Sequence, residues 1–255
     1  MATYHCQAIV IKQKNYGEAD RILTLYTDLH GKVIAIAKGV RWPLSKLAGH
    51  LQLFSKTSLL LANGRNWDTV AGAETVKIYP DLNSNLSKTA QIFYFGEIID
   101  NLTEVGVENG AIFNLLIEAL SQDSTVLKHM IGPYFELNLL KHLGYSPSFY
   151  QCVGCGQEIK KGKNYISVAR GGVVCEKCFS GYEDYRVDDG VIKLLRLYLE
   201  KNFDFLSRLK IKGEIEKQAE EIAHEFLIHI LEREPKSRKF LNNIQKEKIF
   251  KKHNQ

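Results

Sequence analysis

Two pairs of cysteines lie near the middle of the chain, in the stretches "QCVGCG" and "GGVVCEKC". Their spacing is Cys152-x2-Cys155-x19-Cys175-x2-Cys178. Two CxxC turns can surround one ion with four thiolates, and this separation is typical of zinc sites. A redox pair is the alternative, but it needs only one CxxC and usually a thioredoxin-like βαβ context, which the sequence does not show. We therefore predict one zinc ion bound by all four cysteines.

The predicted ion is structural, because four protein ligands leave no open position for water or substrate. The fifth cysteine, Cys6, lies in an apolar strand-like run and is expected to be a small buried residue. Motifs of catalysis are not evident elsewhere. The stretch "GQEIKKGKN" departs from phosphate-loop spacing, and His224 and His229 are five residues apart, so they cannot share a metal from one helix face. We expect a binding protein rather than an enzyme.

The charge of the chain is unevenly distributed, although the formal net charge of its 255 residues is only +5. Residues 236–255 hold seven basic residues and one acidic one. This composition is typical of a segment that binds a polyanion, or of a face that is only solvated. No apolar run is long enough to cross a membrane and the start lacks a secretory pattern, so we expect a cytoplasmic protein. Residues 29–67 hold no acidic residue and six basic ones: Lys32, Lys38, Arg41, Lys46, Lys56 and Arg65.

The hydrophobic pattern predicts an α+β multidomain protein. Residues 1–80 show five short strand-like runs, with Asn63-Gly64 as a hairpin signal, which predicts a small closed barrel. An OB-fold, which binds nucleic acid strands, has this strand number, and an SH3-like barrel is the alternative. Residues 81–235 have helical spacing, interrupted by the zinc knuckle at about 150–180. A basic C-terminal tail, 236–255, follows.

Four stretches, in this order, resemble the bacterial RecO family of recombination mediators. They are "NYGEADRILTLYTDLHGKVIAIAKGVR", "SKLAGHLQLFS", "FELNLLKHLGYSPSFYQCVGCG" and "SVARGGVVCEKC". The similarity spans residues 1 to about 235. Its most specific parts are the cysteine knuckle and the motif Gly17–Arg21. We interpret that motif as structural, with Gly17 making a turn and Glu18 or Asp20 paired with Arg21.

The resemblance implies an N-terminal OB-fold, a helical domain and, in many members, a four-cysteine zinc site. It implies binding without catalysis: members bind single- and double-stranded DNA and anneal complementary strands. They work with RecR to load RecA onto strands covered by single-strand-binding protein, whose C-terminal tail they recognise. Neither a membrane nor a small-molecule substrate is implied. A zinc-containing OB-fold protein that binds RNA or the ribosome is the competing hypothesis.

The DNA contacts are predicted from the acid-free stretch. A strand of phosphates needs a basic groove, and bases stack on exposed aromatic rings. Trp42 either stacks on a base or packs against the barrel end beside Pro43. Lys32, Lys56 and Arg65 are contacts of second rank. The contacts of first rank are the residues that match the family patterns "KG-x-R" and "SK", namely Lys38, Gly39, Arg41, Ser45 and Lys46.

The partner contact is predicted on the helix after the zinc segment. An acidic peptide with an apolar end needs an apolar pocket with a cation at its rim for the terminal carboxylate. The alternative is a core helix whose basic residues are solvated. The residues that would form the pocket are Lys193, Arg196 and Lys201, beside Leu194, Leu197 and Tyr198.

Overall fold

The N-terminal strands close into a barrel in the computed structural model, which describes residues 2–122, 130–181 and 183–253. Neighbouring strands follow the order β1-β2-β3-β5-β4, and β4 pairs with β1 to complete the circle. All pairs are antiparallel except β3 and β5, which meet over Ala35–Ile36 and Asp68–Thr69. The predicted OB-type barrel is confirmed. Its strands are β1 (Thr3–Tyr16), β2 (Asp20–Thr27), β3 (Gly31–Ala37), β4 (Lys56–Ala62) and β5 (Asp68–Lys77).

The barrel interior is filled by alternate residues of each strand, as the period of two in a strand requires. Leu23 and Leu25 are fully buried together with Ala8 and Leu59. Cys6 belongs to the same cluster, as predicted, and burial raises the pKa of its thiol to about 12. This cysteine is therefore a neutral packing residue.

Among the described residues, four helices belong to the same compact unit as the barrel, which comprises Met1–Ser124 and Pro235–Gln255. The Asn85 side chain accepts hydrogen bonds from the backbone N–H groups of Ser87 and Lys88 and so begins a helix of 17 residues. This unit differs from the predicted division at residues 80 and 236, because the helices pack on the barrel and on each other. They are α1 (Asp81–Ser84), α2 (Leu86–Leu102), α3 (Gly110–Ser121) and α8 (Lys236–His253).

The predicted basic tail returns to this unit as α8. The Glu97 carboxylate on α2 accepts from the backbone N–H groups of Lys236 and Ser237, at 3.0 and 2.8 Å. A carboxylate at this position satisfies the free donors of a helix N-terminus. The Arg238 guanidinium lies 5.5 Å from the centre of the Tyr94 ring. The side chains that the structure describes end at residue 244, so four of the seven basic groups of the tail lie beyond them.

The second unit, Thr125–Glu234, is a set of helices with a small sheet. Pro133 lies in the first turn of α4 and Gly144 follows its end at φ +88°, which are the positions where helices favour proline and glycine. No helix within the described ranges is long and apolar enough to cross a bilayer. The elements are α4 (Ile131–His142), β6 (Asn164–Ser167), β7 (Gly172–Cys175), β8 (Tyr185–Val187), α5 (Asp189–Glu200), α6 (Phe203–Leu206) and α7 (Gly213–Leu231).

Lys32 ties the barrel to α2. Its side chain is 9% exposed, and its Nζ donates to the Asp100 backbone oxygen at 2.7 Å and lies 3.6 Å from the Asp100 carboxylate. Lys12 pairs with the same carboxylate from the surface, at 2.7 Å. The prediction that Lys32 contacts DNA is therefore corrected: a buried ammonium group with these partners is not free to bind phosphate.

Replacing Lys32 by alanine should destabilise the fold. The loss leaves the Asp100 oxygens without their buried donor, which costs about 1–3 kcal/mol of unfolding free energy. Urea denaturation measures it. Lys38→Ala, at an exposed position of the same barrel, is the control and should change the value by less than about 0.5 kcal/mol. Equal effects of the two substitutions would contradict the anchoring role.

Candidate metal centre and nucleic-acid interface

The four predicted cysteine ligands come together. Their sulfur atoms all lie within 4.8 Å of one another, and the Sγ atoms of Cys155 and Cys175 are 3.9 Å apart. Four thiolates around zinc, each at about 2.3 Å, are separated by about 3.8 Å in a tetrahedron. Within the described ranges no other cluster of such residues has metal-ligating geometry. The donor set and the spacing therefore fit one zinc ion.

The knuckle backbone is shaped around these sulfurs. Gly154 lies so close that a β-carbon there would stand 2.9 Å from the Cys178 β-carbon and 3.2 Å from its sulfur. The N–H groups of Gly154 and Cys175 both point at the Cys152 sulfur, each at 3.4 Å. Cys152 is buried, whereas Cys155 is exposed at the surface. A site built in this way can hold an ion between the buried sulfur of Cys152 and the surface.

The protonation of the sulfurs also fits a cation. Burial opposes ionisation of Cys152, but hydrogen bonds from the backbone of Cys175, Cys155 and Gly154 outweigh it and lower the pKa of this thiol to about 6. Hydrogen bonds with the other sulfurs, that of Cys155 first, raise the pKa of Cys178 to about 12. Four adjacent sulfurs cannot all ionise without a positive charge among them, and bound zinc deprotonates its thiol ligands outright.

Arg196 holds the knuckle onto α5. Its Nε and Nη2 donate to the Phe149 carbonyl at 2.9 and 2.7 Å, and Nη2 also donates to the Ile159 carbonyl at 3.3 Å. The guanidinium lies 4.5 Å from the centre of the Tyr150 ring. These three residues flank the first CxxC turn. The side chain therefore positions the segment that carries Cys152 and Cys155.

The predicted partner pocket on α5 is not present. Leu194 and Tyr198 are buried, at 2% and 0% exposure, inside the helical core, and Arg196 is occupied by the knuckle. Lys193 and Lys201 are exposed and Leu197 is half-buried, which leaves cations without an apolar pocket between them. The structure therefore agrees with the core-helix alternative, because Leu194 and Tyr198 are buried and the basic residues Lys193 and Lys201 are solvated.

Substitution of one cysteine should remove the metal and the fold of the knuckle together. Cys175→Ser should reduce the bound zinc from one ion per chain to near zero and lower the melting temperature, because structural metal binding is folding free energy. Elemental analysis and calorimetry measure the two quantities. Cys6→Ser should keep the full metal content. If wild-type protein without metal melted at the same temperature as wild-type protein with zinc, the structural role of the site would be refuted.

Substitution of Arg196 by lysine should loosen the knuckle although the charge is kept. One ammonium cannot replace the planar fork that reaches two carbonyls and stacks on Tyr150. We expect a lower melting temperature and faster zinc loss to a chelator. Lys193→Arg, on the exposed face of the same helix, is the control. Unchanged chelation kinetics in Arg196→Lys would contradict the positioning role.

On the barrel, the turn between β1 and β2 holds the loop that leaves β3. The Asp20 carboxylate accepts from the Gly39 N–H at 2.7 Å, and the Arg41 N–H donates to the Ala19 carbonyl at 2.8 Å. Gly39 has φ +63°, which favours glycine. The expected pairing of Glu18 or Asp20 with Arg21 is corrected, since Arg21 donates to the side chains of Asn15 and Gln13 instead.

The loop after β3 presents its cations to solvent. Lys38, Arg41 and Lys46 are all exposed, and Ser45 donates its backbone N–H to the Trp42 carbonyl at 3.0 Å within the loop. Trp42 is 62% exposed, so packing against the barrel end does not bury its indole. Three cations and one free aromatic ring on a short, fixed loop can bind a phosphate strand and stack a base.

A second aromatic site was not predicted. Tyr16, where β1 ends, and Trp67, just before β5, meet edge to face with centroids 5.4 Å apart. Tyr16 is 47% exposed and Trp67 is 37% exposed. Their contact joins the β1–β2 turn to the β4–β5 loop, and these are the two loops with which OB-folds bind nucleic acid strands. Each residue stands beside a recognisable turn, but nothing in the sequence signals that the two rings meet.

The remaining predicted cations differ in exposure. Arg65 is exposed at the tip of the β4–β5 loop, beside Trp67. Lys56 is only partly exposed, and its Nζ lies 5.9 Å from the centre of the Phe113 ring. Arg65 therefore joins the loop cations of the barrel, whereas Lys56 is largely a packing residue.

Comparison with known proteins gives matches across both units. Residues 1–79 match the family model "Recombination protein O N terminal", and residues 83–239 match "Recombination protein O C terminal". The protein named "DNA repair protein RecO" in Dehalococcoides mccartyi is 34% identical over 94% of this chain and 96% of its own length. Its namesake in Moorella thermoacetica is 33% identical over 94% and 91%, and that in Roseiflexus is 32% identical over 94% and 86%.

Proposed function

This chain belongs to the RecO family of DNA repair proteins, and we propose that it acts in homologous recombination by binding DNA without catalysing a reaction. It binds single- and double-stranded DNA through the barrel. It promotes annealing of complementary strands and helps to load RecA onto strands coated by single-strand-binding protein. The observation that carries this proposal is the exposed group of loop cations beside exposed aromatic rings on an OB barrel.

Contacts of this kind favour phosphates over base identity. Lysine and arginine side chains on a loop neutralise the backbone, which every sequence shares. Aromatic faces such as Trp42 and Trp67 stack any base, because every base has a π-face. A protein that anneals arbitrary complementary strands needs this tolerance, since a preference for one sequence would restrict the strands that it joins.

The partners are proposed from the family to which the chain belongs, and they are proposed for the chain as a whole. We propose that it acts with RecR and recognises the acidic C-terminal tail of single-strand-binding protein, and that its site of action is DNA in the bacterial nucleoid. Because Leu194 and Tyr198 are buried and Arg196 binds the knuckle, the pocket first predicted for the tail is not formed, and no residues are assigned to that contact.

The metal supports the fold in this proposal. We propose one zinc ion on the four cysteines, since all four of its positions would be filled by protein. When bound, the ion supplies charge to hold four thiolates together. Gly154 and Arg196 shape and fasten the segment around it.

Salt dependence tests the phosphate contacts. If about five phosphates of a single strand are neutralised, log K should fall with log salt with a slope near −3.5, because each contributes about −0.7. Replacing Lys38 and Arg41 together by glutamate should weaken binding to all sequences alike and make the slope shallower by about 1.4. Fluorescence anisotropy with strands of different sequence measures both quantities.

A matched control separates local contact from net charge. Arg208→Glu with Lys210→Glu makes the same change in charge at exposed positions of the helical unit, and it should leave the slope nearly unchanged. The barrel variant should also anneal labelled complementary strands more slowly, whereas the control should not. Equal losses in both variants, or binding independent of salt, would show that the barrel loop does not carry DNA.

A further inference from the structure

A cleft of about 450 Å³ opens on the barrel where β3 and the β4–β5 loop separate. The parallel pairing of β3 with β5 covers only Ala35 and Ile36, so the first half of β3 has no partner from that strand. Asn63 and Asn66 of the loop face this gap, together with Tyr4, His30 and Val33. The volume is within the range of small-molecule pockets, and barrel mouths are among their usual places.

One wall of the cleft is aromatic and fixed. The rings of Tyr4 and His30 meet edge to face with centroids 4.5 Å apart. The Tyr4 hydroxyl donates to the Asp68 carboxylate, whose other oxygen accepts from the Gly64 N–H at 3.1 Å. Burial and then the Asp68 contact raise the pKa of Tyr4, so the phenol stays neutral and keeps donating.

The polar groups of the cleft suit a neutral ligand rather than an anion. Asp68 places a carboxylate in the wall, and the Lys32 ammonium is turned to the Asp100 carbonyl and carboxylate, so among the described residues that line the cleft no free lysine or arginine offsets it. Asn63 and Asn66 are exposed, and no hydrogen bond of their side-chain amides is found within the described ranges. An amide offers a donor and an acceptor side by side, the pattern that matches the edge of a nucleobase.

The neighbouring residues lead a DNA strand to this place. Arg65 stands between the two asparagines on the same loop, and Trp67 follows with its Tyr16 partner. Arg65 offers a cation for the backbone of a strand, Trp67 offers a ring for one base, and the cleft offers a place for a neighbouring base. We propose that the cleft binds one nucleobase of a single strand, against the Tyr4–His30 wall and the Asn63 and Asn66 amides. This inference rests on the proposed DNA binding.

The test compares two strands of equal charge. One is an oligothymidylate, and the other carries the same phosphates on abasic sugars. Wild type should bind the base-bearing strand more tightly, and the variant Asn63→Ala with Asn66→Ala should lose roughly tenfold on that strand, as one lost base contact would. Its affinity for the abasic strand and its salt slope should stay as in wild type. Gln157→Ala, an exposed amide in the helical unit, should change neither affinity, and thermal melts should show that all variants are folded.

Each other outcome overturns the inference in a distinguishable way. If the double variant loses equally on both strands, the asparagines act on the backbone. If it loses on neither while wild type still prefers bases, the preference comes from Trp42, Tyr16 or Trp67 instead. If wild type binds both strands alike, phosphate binding stands and the cleft takes no base. If it binds neither, the proposed function fails and this inference fails with it.

Discussion

The two-residue parallel pairing of β3 with β5 is the shortest link in the closed barrel, and the surface proposed to bind DNA depends on it. Closure removes free sheet edges and leaves the interior to small and branched side chains, so exposed cations lie on loops and on outward-facing strand positions. Because β3 is held on both sides at its C-terminal end, the chain leaves it at a fixed point, Lys38. There the Asp20 carboxylate sets the direction of the loop by accepting from Gly39.

The sulfur cluster plays the corresponding role in the second unit. The β6–β7 hairpin brings Cys175 and Cys178 to the first CxxC turn, and Arg196 fastens that turn to α5 through two carbonyls. A three-stranded sheet of strands three or four residues long buries little apolar surface. The proposed zinc ion would supply the missing stability, because binding of a metal to a folded knuckle contributes to the folding free energy.

Local patterns in the sequence were enough for the barrel, the main helices and the four ligands. A strand period, a CxxC spacing and a proline or glycine at a helix end are each decided by nearby residues. Lys32 shows where such reasoning ends, since its partner Asp100 is 68 positions away and only packing of α2 brings it near. The same holds for Arg196, for the Tyr16–Trp67 pair and for the return of α8 onto α2, all of which join distant segments.

The most direct test of the account asks which residues a bound strand touches. A single strand carrying photoreactive iodouracil would be crosslinked to the intact protein, and the labelled peptides would be identified by mass spectrometry. If the barrel carries DNA, crosslinks should fall on Trp42, Tyr16 and Trp67, the exposed rings beside its loop cations. Crosslinks confined to residues 130–234, with none on the barrel, would contradict the account.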